Sequence, residues 1–270
     1  MATGRYGNLL NSPGSLWRAG LLAFLSSGLR LICGNAGPWH GLVFVCSIFL
    51  IAVDGSRTAY LMLCVACALA VLVLDREVRF HRALSPYRVL SVTVGSVGCV
   101  GLIAAILIAI PGLGFAERGS TLIHLAGALS WYGLHQTDGY RAEALGTVVR
   151  QIRAHPFVGL GMGTTTADST IGPMVVHMSY LQTWADIGVA GFLAFSSLML
   201  GAIPAAWRAI QTAVGANLRL RLDQYGGLYL LLCWALTGLF HPISTELSEW
   251  IMFIAGLALA QRSIGQVRAS

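Results

Sequence analysis

The chain has 270 residues, 56% hydrophobic and only 10% charged, with mean hydropathy +0.72. That composition excludes a soluble globular domain. A formal net charge of +6 fits a membrane protein with basic cytoplasmic loops, and nothing in the pattern points to nucleic acid.

A helix needs about 20 apolar residues to cross a bilayer. About seven runs approach that length: Leu16–Cys33, Pro38–Val53, Thr58–Leu74, Val89–Ile110, Tyr180–Trp207, Gly226–Phe240 and Trp250–Ala260. The last two are short and must extend into their flanks. The expected fold is all-α, a polytopic transmembrane helical bundle with a long, partly helical loop on its outer face. Residues 1–110 form N-terminal spans, 111–179 the loop, and 180–270 the C-terminal spans.

Orientation follows from the arginines. Arg76, Arg79, Arg82 and Arg88 lie between two spans; Arg208, Arg219 and Arg221 lie between two others; Arg262 and Arg268 end the chain. The positive-inside rule assigns all three segments to the cytoplasm, and alternation then puts Asp54–Arg57, Pro111–Ser179 and His241–Glu249 on the opposite side. The long loop has arginines of its own, but long loops translocate largely regardless of charge. An outer N-terminus without a signal-peptide pattern leads to the expectation that this is the C-terminal portion of a longer protein with further spans, or a product of an alternative start. Cys33, Cys46, Cys64, Cys67, Cys99 and Cys233 all fall in or at the ends of apolar runs, where buried thiols are expected rather than disulfides.

The loop holds most of the chemistry-bearing residues. From Asp138 to Ala154, Leu145, Val148, Val149 and Ile152 recur at helical spacing, which predicts an amphipathic helix at the membrane surface. Thr137 or Asp138 can cap it, and His155-Pro156 ends it. Arg150 and Arg153 fall on its polar face. Arg141 shares the apolar stripe, so it either snorkels past the helix end or meets an anion at the interface. In His155-Pro-Phe-Val-Gly-Leu-Gly-Met-Gly163, Gly159 and Gly161 serve either a flexible turn or a nest of backbone amides for phosphate. His177 begins a second pattern. If the following span is helical from that point, Tyr180, Leu181, Trp184, Gly188 and Gly191 share its face, and Asp186 points elsewhere. Glycines on such a face admit a partner helix or a lipid tail. No cluster at metal-ligand spacing appears, and no cofactor is expected.

Two of these segments carry a resemblance. HPFVGLGMG is similar to a hydrophobic–Pro–x–x–Gly–x–Gly element of the O-antigen ligase and O-antigen polymerase superfamily. His177-Met178, nine residues, Gly188, two residues and Gly191 resembles that family's His-to-Gly signature, with Met178 where an amide or hydroxyl residue is usual. Ser179 and Gln182 stand close enough in sequence to supply the missing hydrogen bond. Asp54-Gly-Ser-Arg57 resembles the family's Ser-Arg pair in a short periplasmic turn, although an interfacial anchor reads equally well.

The resemblance implies an inner-membrane enzyme acting on its periplasmic side. It would transfer or polymerise surface glycan from an undecaprenyl-pyrophosphate-linked donor to a glycan or lipid acceptor among membrane lipids. His177 and Arg141 would be catalytic, with Arg57, Arg150, Arg153, Gly159, Gly161, Gln182, Gly188 and Gly191 in substrate binding. Two other readings stand beside it, a lipid-linked glycan flippase and a truncated, inactive membrane fragment. A flippase would gather ionisable residues at mid-membrane depth, whereas here they collect at one surface.

Overall fold

Wherever the structure describes a predicted span, the apolar run is helical. The computed structural model describes residues 15–33, 37–54, 58–59, 61–66, 68–69, isolated positions between 87 and 98, 139–161, 166–169, 172–212, 218–240 and 247–267. Its elements in chain order are α1 (Ser15–Cys33), α2 (Pro38–Asp54), α3 (Gly139–Ala154), β1 (Thr166–Ser169), β2 (Gly172–Val175), α4 (Ser179–Thr212), α5 (Leu218–Thr237) and α6 (Leu247–Val267). Further helical residues lie between 58 and 69. The predicted run Val89–Ile110 falls largely outside the described residues, as does the loop from 111 to 138.

Among the described residues one helix, α4, is long and apolar enough to cross a membrane, and only 11% of its apolar window is buried within the protein. A core helix of a soluble domain would be mostly buried. Pro38–Ile51 and Trp250–Gln261 are shorter apolar helices.

The chain divides into two compact units, residues 1–123, 208–229 and 255–270 in the first, and 124–207 and 230–254 in the second. In the first unit α1 and α2 meet through small residues. A Cβ on Gly20 would lie 3.0 Å from both Ser47 O and Ile51 Cγ1, and beside this contact Phe24 stacks on Phe44 at 4.9 Å. Close backbone approach of this kind replaces the hydrophobic drive that lipid removes. The Ser27 and Ser47 hydroxyls donate to Ala23 O and Phe44 O of their own helices, both at 2.6 Å, so neither presents an unmet polar group to an apolar surrounding. Gly227 lies against the backbone of Gly256 and Ala260, where a side chain would not fit, and Tyr229 donates its hydroxyl to Met62 O at 3.1 Å.

Two expectations change in this unit. Cys233, in the other unit, is a buried free thiol as expected, but the free thiols of Cys46 and Cys64 are exposed. Cys46 shares the outer surface of α2 with Leu42, Val43, Val45 and Phe49, all exposed, so an apolar position here does not imply an interior one. In addition, α5 extends into its flank, as its short run requires, and begins at Leu218, so it takes in arginines assigned to a cytoplasmic loop. Leu222, Tyr225 and Tyr229 are buried at helical spacing, which carries the helix back through Arg219 and Arg221. Arg221 is itself buried and not part of a solvated loop.

The second unit contains the loop segments. Ala144, Val148 and Ile152 of α3 form one apolar cluster with Val176 and Ala185, and Met178, Leu181 and Trp184 pack around it. At spacing i, i+4, i+8 these α3 positions form a stripe; Leu145 and Val149, predicted members of the stripe, lie at its margin, half-buried. Between α3 and α4 the antiparallel pair β1–β2 sets Thr166 opposite Val175 and Asp168 opposite Pro173. This hairpin is an addition to the helical architecture expected from sequence. A two-stranded ribbon leaves an outer edge on each strand, so the missing amide of Pro173 need not cost a ladder bond. The start of α4 is tied to the end of α5, with Ser179 N donating to Gly238 O at 2.8 Å and the Tyr180 hydroxyl to Ala235 O at 3.0 Å.

Candidate active site

The site segment begins where α3 stops. Proline disfavours the helical conformation at the residue before it, and α3 ends at Ala154, with His155-Pro156 next. His155 N still donates to Gln151 O at 3.0 Å, and Gly159 N closes a turn onto His155 O at 3.2 Å. Gly159 and Gly161 then take φ of 71° and 105°, conformations that L side chains rarely adopt.

This turn fills a break in α4. Gly188 has φ 80° and ψ −170° inside the helix. In an unbroken helix Val189 N would donate to Ala185 O. Instead Val189 N donates to Pro156 O at 3.0 Å, Ala185 O accepts Leu160 N at 2.8 Å, and Asp186 O accepts Gly161 N at 2.9 Å. The backbone groups opened by the break are thus met by the loop, as any helix break in an apolar surrounding requires. Trp184 closes the arrangement: its indole N–H donates to the same Pro156 O at 3.0 Å, and its ring stacks on Phe192 at 4.8 Å, across the break.

The glycines of the two sequence patterns explain one another. A Cβ on Gly159 would collide with the Asp186 carbonyl and Gly188 N, and one on Gly188 with the Phe157 carbonyl and Val158 N. A Cβ on Gly191 would collide with Ile187 of its own helix. Regular helices keep side chains four residues apart at about 5–6 Å, so this crowding belongs to the break. Sequence reasoning took each glycine separately and missed the interlock. The available signal was two glycine-rich patterns about thirty residues apart, each intolerant of a side chain. The amides of Gly159 and Gly161 are already donated, to His155 O and Asp186 O.

The other predicted residues fall as follows. His177 is half-buried and lies in a bend; α4 starts at Ser179. The premise that His177 shares a continuous helical face with Gly188 and Gly191 is therefore corrected, because the helix begins after His177 and breaks before Gly191. Asp186 is buried. Gln182 N donates to Met178 O at 2.9 Å, while its half-buried side chain keeps Oε1 without a hydrogen-bond partner among the described residues. Arg150 and Arg153 are exposed, as their polar face predicted, and Arg150 Nη2 donates to Thr147 Oγ1 at 3.0 Å. Arg153 lies in the last turn of α3, where a cation suits the helix dipole. Arg141 lies in the first turn of α3, with its side chain outside the described residues, and Arg57 is outside them altogether.

What the fold brings together is the two motif-bearing segments. Val176 and Met178, the neighbours of His177, share one apolar cluster with Ala144 of α3, one helical turn from Arg141. Against known proteins, the family model for O-antigen ligase matches residues 42–196, more than half of the chain. The chain belongs to the O-antigen ligase family. No curated protein and no solved structure matches it. The O-antigen ligase match runs from α2 through α3, the Gly159 turn, the hairpin and the break in α4, so both glycine patterns and His177 lie within it. Membership of this family carries membrane-associated glycan transfer of the ligase or polymerase type, on lipid-linked glycans.

Proposed function

We propose that this chain transfers or polymerises surface polysaccharide from an undecaprenyl-pyrophosphate-linked donor, at the periplasmic face of the inner membrane and within a multi-pass bundle. The observation that supports this most is the shared packing of the α3 segment with the residues flanking His177, inside the region matched by the ligase family. It gives one small body to a basic helix and a histidine.

The acceptor hydroxyl attacks the anomeric carbon of the donor sugar as the bond to pyrophosphate breaks. His177 takes the hydroxyl proton as general base, a role suited to imidazole near neutral pH. Arg141 neutralises the leaving pyrophosphate, for which a two-pronged guanidinium is well shaped. Arg150 and Arg153, exposed on α3, add charge for the donor, and Arg57 is assigned to donor binding by the family resemblance alone. Gly159, Gly161 and Gly188 keep the loop seated on α4, Gly191 leaves room for Ile187 beside the break, and Gln182 is assigned to substrate binding by the family resemblance.

The test is transfer of labelled glycan in reconstituted membranes. His177→Ala should lower turnover by roughly 10²–10⁴-fold, the ordinary weight of general base catalysis, at unchanged protein level. His155→Ala and His124→Ala should cost far less. Near-normal transfer by His177→Ala would remove the histidine from the mechanism.

A further inference from the structure

The residues at the tip of the Pro156–Gly161 turn are apolar and outside any core. Phe157 is 76% exposed, Val158 81% and Leu160 40%. Their backbone is fixed all the same: the turn is bonded to Ala185, Asp186 and Val189 of α4. A rigid turn that holds a phenylalanine and a valine outward is costly in water, since each side chain forgoes about 1.5–3 kcal/mol of burial.

The position of this tip along α4 indicates what covers it. From Ile187 to Trp207 α4 contains no charged residue, and Asp186 and Arg208 bound that stretch. Twenty-one residues at about 1.5 Å each give roughly 31 Å, the thickness of a bilayer's hydrocarbon core, about 30 Å. At the far end Trp207 and Arg208 are both exposed, the residue types that anchor helices at a membrane surface. Ala185, Asp186 and Val189, which hold the turn, therefore straddle the other boundary. Below the break, Ile187 and Leu193 are likewise apolar and exposed. Exposed Arg150 and Arg153 fall in the last two turns of α3, just before the tip in the chain, and an apolar tip next to arginines suits the boundary between acyl chains and anionic headgroups.

We infer that Phe157, Val158 and Leu160 dock into the bilayer at the interface marked by Gly188, and so anchor the loop to the membrane. This rests on the reading of α4 as a membrane span. The occupant is lipid, and the break in α4 sets the depth at which the turn meets it.

The experiment uses the unaltered chain in vesicles of phosphatidylcholine and phosphatidylglycerol doped with lipid carrying a photoreactive diazirine high on its acyl chain. After irradiation, adducts are mapped by mass spectrometry. Adducts on the peptide bearing Phe157–Leu160, alongside adducts on residues 189–207, are expected. Labelling of residues 189–207 alone would overturn the proposal and leave the membrane span standing. Labelling of neither would overturn both. A second measurement attaches an environment-sensitive fluorophore to Val158→Cys in a cysteine-free background. Its emission should be quenched by lipid spin-labelled near the headgroup and shielded from aqueous iodide; the reverse pattern would overturn the docking.

Discussion

Replacing Gly188 by alanine probes the interlock directly. The added methyl must enter space held by the Phe157 carbonyl and Val158 N, and neither is the movable end of a side chain. The backbone at φ 80°, ψ −170° is close to glycine-only territory, which costs a side-chain-bearing residue about 1–3 kcal/mol. If the turn leaves, the bonds from Leu160 N, Gly161 N and Val189 N go with it, but they hold the docked turn in the wild type as well and add nothing to the change. The strain acts on the docked state alone, so docking weakens by at least ~1–3 kcal/mol. With 1.4 kcal/mol a factor of ten, the docked-to-undocked ratio falls by roughly 10-fold or more. Hydrogen exchange in reconstituted membranes reads this at the amides of Leu160, Gly161 and Val189, which should exchange at least ~10-fold faster in Gly188→Ala if exchange follows local opening. Gly159→Ala meets the same contact from the other side and should give the same result. The double variant should cost little more than either alone, because sites sharing one contact are not additive. Gly201→Ala, with open space around its Cβ, is the control and should leave exchange unchanged. Wild-type exchange and transfer in Gly188→Ala would refute the interlock.

Arg141→Lys should keep the charge and lose much of the transfer activity if a two-pronged contact to pyrophosphate is needed. Arg150→Lys and Arg153→Lys, on the exposed face of α3, should be milder, and equal tolerance at all three in the labelled-glycan assay would reduce Arg141 to an interfacial anchor. For topology, single cysteines at Ser130 and Thr165 in a cysteine-free background should react with a membrane-impermeant thiol reagent in intact cells, whereas labelling only after lysis would reverse the orientation.

The helices were the legible part of this sequence, because their signal is local. The runs from Leu16 and from Pro38 end within a residue of α1 and α2, since apolar side chains continue to the last turn and polar or glycine residues follow. The start of α5 was not legible. Arg219, Arg221 and Asp223 read as loop to a hydropathy scan, whereas Arg221 is itself buried and Leu222, Tyr225 and Tyr229 are buried at helical spacing. The hairpin was hidden by its length, four residues per strand, and by Pro173, which argues against a strand. At the site, the polar face of α3 could be read from periodicity alone. The relation between Gly159 and Gly188 could not, because it depends on which carbonyls a break leaves open, and a break by glycine has no periodicity of its own.

The hydrogen bonds exchanged between the turn and α4 also impose an order on biogenesis. Residues 156–161 leave the ribosome before residues 185–189, so the partner of the opened carbonyls is already made when α4 begins to insert. An unmet backbone group in apolar surroundings is costly, and the reverse order would leave Ala185 O and Asp186 O without the amides of Leu160 and Gly161 until the turn was made. The separation of about thirty residues adds little to the cost of closing the loop, which grows only with the logarithm of loop length. The seam is thus made from neighbours in synthesis, and the break in α4 meets a partner that already exists.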